Sequence, residues 1–118
     1  MAVVSDSHDR GIEVTPADAR EMVGRGAQLI DVRERHEWDA GHIAGARHVE
    51  LQQLPGAAET IDRDQPVIFQ CRSGARSAMA TEAFRAAGYE AWSMAGGLLR
   101  WFDEGLPLEP GDGHVADH

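Results

Sequence analysis

Short apolar runs alternate with segments of helical periodicity along the whole of this chain. The apolar runs predict strands at residues 12–14, 29–32, 46–49, 67–70 and 90–93. The helical segments predicted between them are 15–26, 34–40, an irregular 51–61, one that ends near residue 87, and 96–105. Strands that alternate with helices favour an α/β fold, in which a mostly parallel sheet of about five strands has helices on both faces.

Local signals mark the boundaries of two of these helices. Thr15-Pro16 places a capping hydroxyl and then a proline at the start of the first helix. Apolar side chains recur at i, i+3, i+4 and i+7 over residues 80–87, and Gly88 is a typical residue just beyond a helix. The second of these helices is therefore expected to pack one face on the sheet.

The length and charge of the chain narrow the classes of protein that it can be. Its 118 residues suffice for one domain, expected over residues 11–108, between flexible tails at 1–10 and 109–118. No apolar run approaches the roughly 18 residues of a membrane span, and the first residues do not resemble a signal peptide, so a cytoplasmic protein is expected. A net charge of −9 argues against a nucleic-acid or membrane partner, and the oligomeric state is left open.

The only cysteine, Cys71, lies where the strand at 67–70 gives way to a helix. In parallel sheets, binding sites form at the carboxyl ends of the strands, where helices begin. A helix N-terminus presents unpaired backbone N–H groups, and Gly74 permits the curve that gathers them into an anion-binding loop. Such a loop suits a cysteine that is ionised at neutral pH. A single cysteine also excludes an internal disulfide and argues against a cysteine-rich zinc site.

Two interpretations of Cys71 are open on this pattern. A free cysteine at a strand end is often one more buried apolar side chain. The residues that follow it, however, are small or cationic: all 11 basic residues of the chain are arginines, and Arg72 and Arg76 lie here. The pattern therefore favours a nucleophile beside an anion site. The expected substrate-binding residues are Arg72, Ser73, Gly74, Ala75, Arg76 and Ser77.

Three further polar residues near predicted strand ends have both a functional and a structural interpretation. Asp31 and Arg33 either shape the edge of the site or form an ion pair that fixes the turn after the strand, and we favour the ion pair. His42 either acts as a general base or hydrogen-bonds to the backbone. We favour the second, because an ionised cysteine needs no base.

Three motifs, in the correct order, resemble those of single-domain rhodaneses, the thiosulfate sulfurtransferase family. The sequence CRSGARS at 71–77 is similar to the family's active-site loop. DVRE at 31–34 with EW at 37–38 and GHIAGA at 41–46 resembles its upstream signature, and MAGG at 94–97 followed by Trp101 resembles its C-terminal signature. The resemblance spans roughly residues 12 to 106 and implies a rhodanese-like three-layer fold.

The resemblance also implies a ping-pong sulfur transfer without a metal or a cofactor. Cys71 would take the outer sulfur of a small sulfur-containing anion such as thiosulfate and pass it to cyanide, a thiol or a protein acceptor. Two alternatives are a non-catalytic interaction module of the same fold and a phosphatase or arsenate reductase. Tyrosine-phosphatase-type sites have five residues between cysteine and arginine. Four separate Cys71 from Arg76, and this shorter loop favours sulfur chemistry.

Overall fold

The structure, a computed structural model, describes residues 10–117. Its strands are β1 (Glu13–Val14), β2 (Gln28–Asp31), β3 (Arg47–His48), β4 (Val67–Gln70) and β5 (Ala91–Met94). Its α-helices are α1 (Pro16–Gly24), α2 (Arg35–Ala40), α3 (Leu54–Ala57), α4 (Ala75–Ala86) and α5 (Gly97–Asp103). Short 3₁₀ turns occupy Arg10–Ile12, Leu51–Gln53 and Ala58–Thr60. Among the described residues, no helix has the length and apolar character needed to cross a membrane.

The five strands form one sheet in the order β1-β5-β4-β2-β3, and every neighbouring pair is parallel. Strand β4 lies at the centre, between β5 and β2, and all four of its residues are buried. Because the strands are parallel, the carboxyl ends of β2, β4 and β5 meet at one edge of the sheet. The predicted α/β fold with a five-stranded parallel sheet is confirmed.

Alternate residues of β4 pack into two separate hydrophobic cores, one on each face of the sheet. Phe69 packs on one face with Leu54 and Phe84, which belong to α3 and α4. Ile68 packs on the other face with Ala19 of α1 and Leu98 of α5. This alternation follows from the two-residue period of a strand, and it gives the three layers that the sequence predicted.

The predicted boundaries differ from the observed ones by small shifts. Strand β2 begins and ends one residue earlier than predicted, and β5 begins and ends one residue later. The predicted cap of α1 is present, since the N–H of Asp18 donates to Thr15 Oγ1 at 3.1 Å. Residues 51–60 form a 3₁₀ turn, one turn of α-helix and another 3₁₀ turn, in agreement with the expected irregular helix.

The segment after α5, expected to be a flexible tail from residue 109, folds back along α2 in the structure. His42 and Glu109 form an isolated antiparallel bridge, and the N–H of His114 donates to the carbonyl of Ala40 at 2.9 Å. The flexibility of this segment and the limits of the domain stay predictions, because hydrogen bonds do not measure motion. The tail expected at residues 1–10 lies, except for Arg10, outside the described residues.

Candidate functional site

Cys71 lies directly after the central strand, and its side chain is buried, with 1% exposed. Its Sγ accepts a hydrogen bond from the N–H of Gly74 at 3.1 Å and another from the N–H of Ser77 at 3.4 Å. Gly74, with φ of +120°, turns the loop so that both amides face the sulfur. Ser77 is in the first turn of α4, whose amides have no partner within the helix. The sulfur therefore lies at the positive end of this helix.

A pair of serine hydroxyls supports the sulfur from the side of β5. Ser77 Oγ lies 3.6 Å from Cys71 Sγ, 3.1 Å from the carbonyl oxygen of Gly74 and 2.8 Å from Ser93 Oγ. A hydroxyl hydrogen can rotate between such acceptors, so Ser77 can donate to the sulfur once the thiol is ionised. Ser77 was predicted from the sequence. Ser93 was missed, because only the sheet order brings β5 beside the loop.

The beginning of α5 lies behind the loop and contacts its backbone. The N–H of Leu98 donates to the carbonyl of Cys71 at 2.7 Å, and the N–H of Leu99 donates to the carbonyl of Arg72 at 3.0 Å. Gly97 makes this approach possible: its φ is +61°, and a Cβ there would lie 2.5 Å from the carbonyl oxygen of Arg72. The glycines of the C-terminal motif thus position the cysteine loop, a role that the sequence alone did not show.

Arg76, expected to attract an anion, forms a two-pronged ion pair with Glu37. Its Nη1 donates to Glu37 Oε1 at 2.8 Å and its Nη2 donates to Oε2 at 3.0 Å. Glu37 is fully buried and also accepts from the N–H of Glu34 at 2.9 Å, which closes a capping box on α2. Its charge therefore balances that of Arg76 within the protein.

The ionisation of this pair follows from its surroundings. Burial alone would raise the pKa of Glu37, but hydrogen bonds from Arg76 and from the backbone of Glu34, with the charges of Arg76 and Arg33, lower it below its usual value. The hydrogen bonds to Glu37 raise the pKa of Arg76, against the effect of burial. Both groups are therefore charged at neutral pH.

The other arginine of the loop, Arg72, contacts the segment that follows α5. Its Nε donates to the carbonyl of Ala116 at 3.1 Å, and its Nη2 lies 3.3 Å from Asp117 Oδ1. Ser73 and Ala75 are exposed. Of the six residues expected to bind a substrate, Gly74 and Ser77 contact the sulfur, and the binding itself stays a prediction.

Asp31 and Arg33 form a fully buried ion pair at the carboxyl end of β2. Arg33 Nη2 donates to Asp31 Oδ2 at 2.8 Å and to the carbonyl of Gly41, also at 2.8 Å. His42 Nδ1 lies 3.0 Å from the carbonyl of Trp38, on whose ring it stacks at 3.7 Å. The structural interpretations of all three polar residues are therefore confirmed.

Within residues 10–117, no three histidine, cysteine or acidic residues are grouped so as to hold a metal.

Comparison with known proteins identifies the family. A model of the rhodanese-like domain matches residues 15–104. The chain belongs to the rhodanese-like family. This family includes thiosulfate sulfurtransferases named GlpE. The chain is 34% identical to GlpE of Stutzerimonas stutzeri over 89 residues, which cover 75% of this chain and 82% of GlpE. It is 35% identical to GlpE of Haemophilus influenzae over 98 residues, which cover 82% of this chain and 93% of GlpE.

Other relatives agree with the fold without adding an activity. The uncharacterized protein YqhL of Bacillus subtilis is 42% identical over 78 residues, which cover 65% of this chain and 62% of YqhL. The crystal structure of a rhodanese-related protein from Thermoplasma volcanium superposes with a TM-score of 0.77 at 29% identity, covering 82% of this chain and 96% of that protein. Sulfur transfer is thus supported at the level of the family.

Proposed function

We propose that this protein is a sulfurtransferase that carries sulfane sulfur as a persulfide on Cys71. The observation that supports this most directly is the contact of two backbone N–H groups with Cys71 Sγ, at 3.1 and 3.4 Å. Donors fixed in this way stabilise negative charge on sulfur without having to reorient during the reaction. The similarity to thiosulfate sulfurtransferases points to the same chemistry.

The proposed reaction has two displacement steps that balance in atoms and charge. The Cys71 thiolate attacks the outer sulfur of thiosulfate, the S–S bond of the donor breaks, and sulfite leaves with the bonding electron pair. The outer sulfur of the Cys71 persulfide is then attacked by a nucleophilic acceptor such as cyanide or a thiol. The new S–S bond breaks and the Cys71 thiolate is restored. No oxidant or reductant is consumed.

Four of the loop residues have a role in this proposal that matches their contacts or exposure. The N–H groups of Gly74 and Ser77 hold the charge of the thiolate and of the persulfide, and the Ser77 hydroxyl adds a third donor. The exposed Ser73 and Ala75 leave the rim open to the donor and the acceptor. With one cysteine in the chain, the persulfide has no internal thiol to attack it, which suits delivery of the sulfur to another molecule.

Mass spectrometry of the intact protein tests the proposal. After incubation with thiosulfate or with an organic persulfide, the wild type should gain one sulfur atom, which cyanide removes as thiocyanate. Cys71→Ser should gain none. A folded wild-type protein that gains no sulfur from either donor contradicts the proposal and favours the non-catalytic interaction module. Circular dichroism on the same samples establishes that the protein is folded.

A phosphatase or arsenate reductase would give a different result. Such sites bind a tetrahedral oxyanion in a longer loop, whereas here four residues separate Cys71 from Arg76 and the amides of Gly74 and Ser77 both contact one sulfur atom. We therefore expect no Cys71-dependent hydrolysis of an aryl phosphate. Hydrolysis that is lost in Cys71→Ser would favour the phosphatase instead.

A further inference from the structure

The segment of residues 109–117 is fixed to the end of α2 by close contact of backbone with backbone. The N–H of His114 donates to the carbonyl of Ala40 at 2.9 Å. Gly41 lies directly against His114, since a Cβ on Gly41 would lie 2.7 Å from the His114 carbonyl oxygen. Gly113 fits equally closely, since its Cβ would lie 2.9 Å from the carbonyl oxygen of Ala40. The path of the segment therefore depends on these two glycines.

This path brings residues 116 and 117 to Arg72, the residue after the cysteine. The Nε of Arg72 donates to the carbonyl of Ala116 at 3.1 Å, and its Nη2 lies 3.3 Å from Asp117 Oδ1. His36 Nε2 lies 3.0 Å from the carbonyl oxygen of Asp117, so these residues also contact α2. Both acceptors lie along one side edge of the guanidinium, the edge formed by Nε and Nη2. The segment therefore fixes the orientation of this side chain.

The end edge of the same guanidinium remains available to a ligand. An arginine has five N–H groups in a planar fork. Within residues 10–117, the bonded N–H groups of Arg72 are the two on its side edge. Nη1 and the second N–H of Nη2 point outward in parallel, which is the arrangement that binds two oxygens of one anionic group. The Arg72 side chain is 23% exposed, so part of it is in contact with solvent.

We propose that residues 113–117 are a positioning segment, which holds the side edge of Arg72 so that its end edge binds the anionic group of the sulfur donor. This proposal rests on the proposed function. The segment lies outside residues 15–104, the part of the chain that the family model matches. A long side chain that is ordered before binding loses less conformational entropy when the ligand arrives. The segment therefore lowers the donor concentration needed for loading and leaves the chemical step at Cys71 unchanged.

Single-turnover loading of Cys71, measured by mass spectrometry over a range of thiosulfate concentrations, tests the proposal. The reference protein is Asp117→Asn, which keeps an acceptor oxygen beside Arg72 and removes a negative charge that would oppose an anion. Adding Gly113→Ala displaces the segment and should raise the half-saturating concentration about three- to tenfold, as expected for ordering one long side chain, with no change in the saturating rate. Adding Gly111→Ala, the same substitution in open space, should change neither quantity.

A variant without the guanidinium separates positioning from a merely structural role. Arg72→Met, added to the reference protein, should raise the half-saturating concentration of thiosulfate. Gly113→Ala should then raise it no further, because the segment has no guanidinium left to position. The proposal is overturned if Gly113→Ala leaves the half-saturating concentration unchanged or lowers it, or if its effect is as large without Arg72 as with it. If the folded wild type gains no sulfur from any donor, the proposed function itself fails.

Discussion

Replacement of Asp31 by asparagine tests how much the buried ion pair at the end of β2 stabilises the fold. The carboxylate accepts from the backbone N–H of Arg33 at 3.0 Å, from its Nε at 2.9 and 3.0 Å, and from its Nη2 at 2.8 Å. Neither side chain is exposed. The Asp31→Asn variant keeps one acceptor oxygen and replaces the other by an NH₂ group, which would face the N–H donors of Arg33. The buried guanidinium of Arg33 also loses its counter-charge.

The expected loss in the free energy of unfolding is large, although Asp31→Asn exchanges only one carboxylate oxygen for an amide nitrogen. Removing one partner of a buried pair costs about 3–5 kcal/mol, because the remaining charge stays desolvated. An unfolding entropy of about 2.1 cal/mol/K per residue gives roughly 0.25 kcal/mol/K for a chain of this length, so Tm should fall by about 12–20 °C. Urea unfolding followed by circular dichroism, with a thermal scan, measures both quantities. The variant should still be folded at low temperature, since domains are stable by about 5–15 kcal/mol.

Two further variants decide whether this reasoning is correct. Asp39→Asn breaks the exposed Arg35–Asp39 pair and should cost less than about 1 kcal/mol. The double variant Asp31→Asn/Arg33→Met removes the stranded charge and should be more stable than Asp31→Asn alone. A loss below about 1 kcal/mol in Asp31→Asn, or a double variant that is less stable than the single one, would refute the argument from desolvation.

Three other substitutions have defined outcomes. Gly97→Ala should cost about 3 kcal/mol and abolish sulfur loading, because its Cβ would lie 2.6 Å from the Cys71 carbonyl oxygen. Ser77→Ala should cost about 1–3 kcal/mol and slow loading roughly tenfold, since Ser93 and the sulfur both lose a hydroxyl partner. Glu37→Gln should cost about 3 kcal/mol at neutral pH. Folding lowers the pKa of Glu37. The difference in the free energy of unfolding between the wild type and Glu37→Gln is therefore complete above about pH 4.3, and it shrinks as the pH falls through the pKa that Glu37 has in the folded protein.

Each of these predictions has its own control. Gly105 also has a positive φ, +79°, but open space around it, so Gly105→Ala should cost only about 1 kcal/mol and leave loading intact. If it costs as much as Gly97→Ala, backbone strain and not the clash explains both. Ser73→Ala, at the exposed rim, should not change stability. A Glu37→Gln difference that stays constant from neutral pH to about pH 2 would show that the carboxylate charge is not responsible.

The order of elements and the position of Cys71 could be predicted because both depend on short-range patterns. A strand with three apolar residues in a row, a loop with Gly74 and a helix that follows are recognisable within about 15 residues, whatever the rest of the chain does. Parallel pairing then places the loop at the carboxyl edge of the sheet. The shifts of one residue in β2 and β5 reflect the register between strands, which the apolar pattern of one strand does not specify.

The electrostatic partners of the loop could not be predicted in the same way. Glu37 is 39 positions from Arg76 in sequence, and its only local signal was the spacing from Glu34, which is typical of a capping box. That spacing gives no sign of an arginine from another element. The contact of Arg72 with residues 116 and 117 was still harder to predict, because a polar segment without periodicity predicts a flexible tail and not a segment that packs along α2.

The contact between α5 and the cysteine loop has a consequence for the motions that turnover requires. In a trans peptide the C=O and the following N–H point in opposite directions. The two hydrogen bonds from α5 hold the carbonyls of Cys71 and Arg72, and thereby direct the N–H groups of Arg72 and Ser73 away from α5. These two peptide planes already have this orientation before any sulfur is added to Cys71. In the proposed reaction, loading and unloading are therefore expected to need no rearrangement of these two peptide planes.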